Sequence, residues 1–338
     1  MPGVKRSDIV FCYDAKDCIP NGDPYTGEQR QDPITGKIMV SDVALKHYVR
    51  ENIARVNAFF PESKTDEIYM RHVDLEFLRS QGANFTNMSG SAAQVKILSI
   101  LFKDDPEILD LIEKTSSSKK KAKENDTLSR EIVAALVKKC IDVRVFGGVA
   151  TSKDSNISLT GPLQFEVMNY SLHTVNLNTL QNTCVFPSDT KKGQGSIGTT
   201  SIVPYAFICA NGSTNPLVAA DTGATERDVL VILKNLWHGV NAYRSRSKMG
   251  QTSRLMLKIN YVNPLTHVAD MNEIIQVSNP DSTSYRSLDD LSLIYDNLVS
   301  LAQRDIVQDI EYAVESKMEH SFMKAMSPAI SKLKKFPL

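Results

Sequence analysis

Two groups of side chains near the N-terminus have chemistry to offer. Lys46 and Arg50 stand four residues apart in SDVALKHYVR, behind a Ser41-Asp42 pair able to cap a helix, so both cations leave its first turns. Taken alone, they also suit a solvated helix side. Asp14, Asp17, Asp23, Asp32 and Asp42 lie close in sequence and carry the oxygen ligands that Mg²⁺ prefers. The segment among them, NGDPYTGEQRQDPITGK, is dense in Asp-Pro and Asn-Gly turn signals, which favours turn capping over metal binding. Catalytic patterns are missing elsewhere. The six histidines (His47, His72, His173, His238, His267, His320) form no HExxH, KKGQGSIGTT lacks the lysine of a Walker loop, and there is no GxSxG. Nothing in these spacings demands an enzyme, a metal or a cofactor, and none is expected.

What the two cations gain depends on where the other charges lie. The formal net charge of zero argues at first against a nucleic-acid binder. Its distribution argues the other way. Residues 229–269 contain no Asp or Glu but six cations (Lys234, Arg244, Arg246, Lys248, Arg254, Lys258), whereas 270–320 hold eleven acids against Arg286, Arg304 and Lys317. Such asymmetry suggests a polyanion on one side and a basic neighbour on the other, with an ordinary mixed surface as the alternative. The polar run TSSSKKKAKEND reads as a solvated loop, or as a sequence-indifferent contact to a nucleic-acid backbone. Five widely spaced cysteines with no CxxC point to reduced thiols rather than a disulfide frame or a zinc site. A soluble, cytoplasmic protein is expected, since the apolar run at 9–13 is too short for a signal-peptide core and no window approaches a membrane span.

The elements that must position these groups follow from pattern. SDIVFCYDA predicts a first strand, 37–40 a short second one, and Leu45, Val49, Ile53 and Val56 the apolar stripe of a helix. Residues 61–140 are helical in pattern, and DVRVFGG (142–148) reads as a strand ending in a glycine pair. SLTGPLQFEVMNYSLHTVNL predicts a returning strand, and 178–200, rich in Thr, Ser and Gly with Lys191 and Lys192 near its middle, an extended hairpin. IVPYAFICANG is a further strand, TERDVLVILKNLWHGV a helix opened by Thr225, and RLMLKINYV a strand behind the cationic loop AYRSRSKMGQTS; a helical tail follows. Without the insertions the order is β-α-β-β-α-β, the ferredoxin-like order of RNA-recognition domains, although their RNP signature is absent.

The combination NGDPYTG, DPITGKIMVSDVALKHYVRENI, DVRVFGG, LTGPLQFEVMNYSLHTV, GSIGTTSIVPYAFI and SRSKMGQTSRLMLKINY resembles the backbone subunit of type I CRISPR interference complexes. This is the seventh family of CRISPR-associated proteins, in the branch of subtypes I-B and I-C, with I-B favoured, and the likeness runs from about Ser7 through Tyr261. The resemblance implies an α+β protein with an RRM-like palm and web loop (1–60), a helical finger insertion (61–140), a palm continuing over 141–269 with a β-hairpin thumb at 178–200, and a helical C-terminal part (270–338). It implies a non-catalytic subunit that stacks head to tail with further copies of itself along guide RNA (crRNA), presenting it to a target DNA strand. Its other partners would be the large, small and guide-end-binding subunits of the Cascade complex. On matching positions Lys46 and Arg50 would bind guide phosphates with Ser41 near the same chain, and Arg30 in the web loop would add a contact. Lys191 and Lys192 would lie in the thumb, and Arg244, Arg246 and Lys248 would reach RNA or the target strand. His47 stands where related sequences carry a second cation. A metal-dependent RNase of the type III kind, using Asp23 or Asp32, is the alternative.

Overall fold

The computed structural model describes residues 3–63, 66–69, 90–117, 122–152, 155–183 and 197–338. The chain forms two compact units: Met1–Val4, Val49–Gln164 and Asn215–Asn235 make one, and Lys5–Tyr48, Phe165–Thr214 and Leu236–Leu338 the other. Both contain helices, and the second is built on a large mixed sheet, so the chain is of the α+β class. Among the described residues no helix is long and apolar enough to cross a membrane.

In the second unit, the first strand, Ser7–Cys18, is buried along most of its length and lies antiparallel between Ile197–Thr214 and Gln251–Tyr261. Met168–Thr174 pairs with the former and then with Lys37–Ser41; Val307–Val314 pairs with Gln251–Tyr261, and Leu333–Lys335 runs parallel at the far edge. Alternation sends successive side chains of the first strand to opposite faces. Val10 and Cys12 join Phe207, Leu257 and Ile259 in a core closed by Met271, Ile275, Tyr295, Leu298 and Phe322. Ile9, Phe11, Tyr13 and Ala15 are fully buried on the other face, Phe11 stacking on Tyr13 at 5.6 Å. The last turns of the Glu226–Ala242 helix lie along the Gln251–Tyr261 strand, where Ser253 Oγ donates to the Trp237 carbonyl at 2.8 Å.

The segment 270–338, expected to be helical, is mixed. Its helices Asp296–Ala302 and Ser316–Ala325 alternate with strands, and Val307–Val314 extends the main sheet. VQDIEYAV owes this to β-branched and aromatic residues and to the acids it aligns with cations on the neighbouring strand. Glu311 sits directly opposite Lys258, whose ammonium is fully buried and lies 3.0 Å from Glu311 Oε1 and 2.8 Å from Asn260 Oδ1. Arg254 bridges Asp14 at 2.8 Å and Glu315 at 2.6 Å. Part of the basic run therefore neutralises part of the acidic run inside one sheet, which corrects the reading of that asymmetry as wholly a surface feature.

In the first unit, the helices Gly90–Leu101, Pro106–Ser117 and Ala122–Lys139 share a core of Leu98, Phe102, Ile112, Ile132 and Leu136, as their apolar spacing predicts. DVRVFGG is not a strand. Ile141–Phe146 is a short buried helix, and the strand begins only at Gly147, pairing as a hairpin with Ser155–Thr160. Six residues of alternating valines cannot separate the two periods, and burial on all sides removes the contrast that would. Gly147 adopts φ 82°, and a Cβ there would meet the Leu159 carbonyl oxygen at 2.1 Å, so the turn into the hairpin requires glycine. Arg144 closes this unit, donating to the Val137 carbonyl at 2.9 Å and to Asp228 at 3.1 Å.

Lys258 gives a direct test of the buried charge pairing. Lys258→Ala leaves Glu311 without its cation, and removing one partner of a buried pair lowers stability by about 3–5 kcal/mol. Lys258→Met with Glu311→Leu should recover much of that loss. Urea unfolding of the two variants checks it, and equal stabilities would overturn the assignment.

Candidate nucleic-acid interface

The web segment is two copies of one device. In Asp23-Pro24-Tyr25-Thr26-Gly27, Asp23 Oδ1 accepts from the Tyr25 amide at 2.9 Å, and Gly27 takes φ 72° while its amide reaches the Asp23 carbonyl at 2.8 Å. In Asp32-Pro33-Ile34-Thr35-Gly36, Asp32 Oδ1 accepts from the Ile34 amide at 3.0 Å, Oδ2 from Thr35 Oγ1 at 2.6 Å, and Gly36 takes φ 65°. Both carboxylates thus cap their own turns, as the turn signals imply. Hydrogen bonds from the Tyr25 and Thr26 amides hold Asp23 below its ordinary value; the Thr35 hydroxyl and the Ile34 amide do the same for Asp32. Among the described residues no group of three or more His, Cys, Asp or Glu could hold a metal ion.

Residues 19–21 gather several of the residues singled out from sequence, all within the second unit. The Asn21 carbonyl accepts from the Arg30 amide at 3.1 Å, and Asn21 Oδ1 accepts from the Ser41 amide at 2.7 Å. Lys248 Nζ donates to the Ile19 carbonyl at 2.7 Å and to the Pro20 carbonyl at 2.5 Å, and the Tyr48 hydroxyl donates to the same Pro20 oxygen at 3.0 Å. The Ile19 amide donates to the Ser247 carbonyl and the Lys16 amide to that of Gly250, both at 2.8 Å. A Cβ on Gly250 would lie 1.7 Å from the Lys16 carbonyl oxygen, so this lacing depends on glycine. Tyr243 then meets His47 edge-on at 5.2 Å and Tyr48 at 5.6 Å, which sets the cationic loop beside the first turns of the Asp42–Phe59 helix.

The cations differ in what they are free to do. Arg244 and Arg246 are exposed, Arg244 donating to the Met249 carbonyl of its own loop. Arg30 Nη2 stands 3.5 Å from Asp23, while its buried Nε has no hydrogen-bond partner among the described residues. Ser41 Oγ accepts from the Ala44 amide at 3.3 Å and so caps the helix. Lys46 Nζ lies 2.9 Å from Asp42 Oδ2, one turn back. Arg50, within the first unit, puts Nε 3.0 Å from the fully buried Asp142 and its guanidinium over Phe146 at 5.6 Å. That contact joins two helices of the unit, a role that four-residue spacing cannot reveal. Lys191 and Lys192 lie outside the described residues. Flanking them, Asn178–Thr183 pairs antiparallel with the start of the Ile197–Thr214 strand.

Lys248 faces inward, and burial pushes its ammonium down to about 8 from the ordinary 10.5. An unfolded chain keeps that proton to higher pH, so across the window from about 8 to 10.5 it binds more protons than the folded state and stability rises with pH. The melting temperature of the wild type should therefore gain on that of Lys248→Met as pH climbs through this window. A constant difference between the two would show that the ammonium is not desolvated.

The family described as "CRISPR-associated protein Cas7" matches residues 5–296. A relative from Haloferax volcanii, named CRISPR-associated protein Cas7, is 25% identical over 342 residues, covering 94% of this chain and 89% of its own. A solved chain described as "CRISPR RNA-guided surveillance complex, pre-nicking" shares the fold with a TM-score of 0.50 at 12% identity, over 92% of this chain and 93% of that one. Since the family match spans most of its length, the chain belongs to the Cas7 family of CRISPR-associated proteins.

Proposed function

We propose that this protein is the guide-RNA-binding backbone subunit of a type I CRISPR interference complex, of the I-B branch, stacking head to tail along crRNA in the cytoplasm. The observation that carries this reading is the convergence of Arg30, Ser41 and the Arg244–Arg246 loop on residues 19–21, beside the helix start that bears Lys46. Phosphates suit that place. They would meet cations and a helix N-terminus together, contacts that ignore base identity as a guide that varies at every target requires. Sequence reading is then left to pairing between guide and target DNA.

The strand order supports an RRM-like palm. Of the β-α-β-β-α-β elements, the four strands Gln251–Tyr261, Ser7–Cys18, Ile197–Thr214 and Met168–Thr174 lie side by side in that order, which is 4-1-3-2. Residues 271–329 cover the sheet face that short RNA-recognition modules leave open, which favours contact through loops and insertions. In this reading 61–140 are the finger and 178–200 the thumb. An interface repeated head to tail without closing gives a filament, with the large, small and guide-end-binding subunits of Cascade at its sides and ends.

Lys46 is the cleaner test of the phosphate site, since its partner Asp42 is half-exposed and a phosphate can replace it. Arg50→Ala instead strips the buried Asp142 of its cation and would disturb folding. Lys46→Gln combined with Arg246→Gln should lower the salt slope of RNA binding by about 1.4 units, at about 0.7 for each single-strand phosphate, equally for unrelated guides. An unchanged slope would overturn the site.

The reading also makes the chain non-catalytic. Complementary RNA incubated with the guide-loaded protein and Mg²⁺ should stay intact. Cleavage that Asp23→Asn or Asp32→Asn abolishes would establish the nuclease alternative.

A further inference from the structure

Of the loop cations singled out from sequence, Arg244 and Arg246 are exposed, while Lys248 turns inward with Nζ 2.7 Å from the Ile19 carbonyl and 2.5 Å from that of Pro20. Its ammonium serves the protein's own backbone. Two successive carbonyls turned to one inward place need a donor between them, so this bend of the chain depends on what Lys248 supplies. The Tyr48 hydroxyl shares the Pro20 oxygen at 3.0 Å.

The bend leads directly into Asn21. That residue accepts through its carbonyl from the Arg30 amide at 3.1 Å and through Oδ1 from the Ser41 amide at 2.7 Å, and its own amide donates to Gln29 Oε1 at 2.9 Å. Gln29, only 5% exposed, ties back through Nε2 to the Arg30 carbonyl at 2.7 Å and the Met39 carbonyl at 3.2 Å. Ser41 in turn caps the helix that carries Lys46. The path from Lys248 to Arg30 and to the start of the Lys46 helix thus runs through one short bend and one asparagine, all within the second unit.

We propose that Lys248 is a positioning residue for strand binding: its ammonium, held by the Ile19 and Pro20 carbonyls, fixes Asn21 and through it Arg30 and Ser41, without itself touching a phosphate. This rests on the functional reading above and makes strand binding depend on a proton. A neutral amine donates bonds roughly half as strong as those of an ammonium, so the bend loosens when the proton leaves.

The groups that face Lys248 leave this dependence to the lysine. From the first strand comes Cys18, whose thiol burial pushes up to about 12, and from the Asp42–Phe59 helix comes Tyr48, which burial also raises. Tyr13, buried beside both, is raised in the same way. His47 and Tyr243 pack around Tyr48, and Arg244 and Arg246 add positive charge from the lysine's own loop. Burial brings Lys248 down to about 8, so above that pH the free protein must take up a proton to bind and affinity falls as pH rises. With only the protonated form competent, the fall from about pH 7 to pH 9 is about tenfold.

The test is fluorescence anisotropy of the full chain with labelled oligoadenylate, whose bases do not titrate in this window, at constant ionic strength. Wild-type affinity should show that tenfold fall. Lys248→Met should bind about tenfold more weakly at neutral pH and show no fall, and Lys248→Arg, charged throughout, should also lose it. Hydrogen exchange of the free proteins reports the positioning itself: in Lys248→Met the Arg30 and Ser41 amides should exchange at least about tenfold faster, while the Val10 amide in the central strand stays protected. A flat wild-type profile, a fall that persists in Lys248→Met, or unchanged exchange at Arg30 and Ser41 would each overturn the proposal. Should Lys248→Met not fold, the wild-type profile and Lys248→Arg decide. Absence of strand binding, or a salt slope indifferent to Lys46 and Arg246, strikes the functional reading and this inference with it, whereas a flat pH profile beside an intact slope effect strikes Lys248 alone.

Discussion

Lys258 sits at zero exposure in the middle of a sheet, and the rest of the second unit is arranged so that it can. A lysine that deep is tolerated only with its charge matched, and Glu311 from the next strand and Asn260 from its own supply the match. Arg254, four residues earlier on the same strand, repeats the solution with Asp14 and Glu315. These pairs tie the first, the central and the C-terminal strands into one electrostatic unit. They also require the C-terminal segment to lie against the sheet, where its apolar side chains close the face.

Closing that face leaves the sheet covered along its central strands. Val10, Cys12 and Phe207 face a packed core on one side and Phe11 and Tyr13 are buried on the other, so among the described residues the central strands present no open face. At the periphery lie the turns capped by Asp23 and Asp32 and the loop laced to residues 16–20 by backbone hydrogen bonds. The periphery is not loose. Left-handed glycines, aspartate caps and the contact of Gly250 with Lys16 hold the loops on the sheet.

Charge read along the chain and charge read in space differ for a definite reason. The acid-free run 229–269 and the acid-rich run 270–320 look like two surfaces, yet Lys258 and Arg254 meet Glu311 and Glu315 because their strands are antiparallel neighbours. Lys248 turns inward onto two carbonyls. Only Arg244 and Arg246 of the loop keep the exposure that the run as a whole suggested. Net charge over a window measures composition, while binding depends on which charges stay unmatched at the surface.

Local signals were legible from residues alone. The Ser41 cap, the helix opened by Thr225 and closed against Asp228, and the paired Asp-Pro turns all depend on neighbours a few residues away, and each stands where its residues predict. The family, too, could be recognised from its motifs. What tertiary structure alone decided are the partners far apart in sequence. Arg50 meets Asp142 across ninety-two residues, Lys258 meets Glu311 across fifty-three, and Ile141–Phe146 is a helix whose side chains are all buried, so its pattern carries no period to read. The side-chain oxygen of Asn211, without a hydrogen-bond partner among the described residues, belongs to the same class. Neither periodicity nor charge count reports whether a buried polar atom finds a partner, because that depends on which strands and loops the whole chain brings around it.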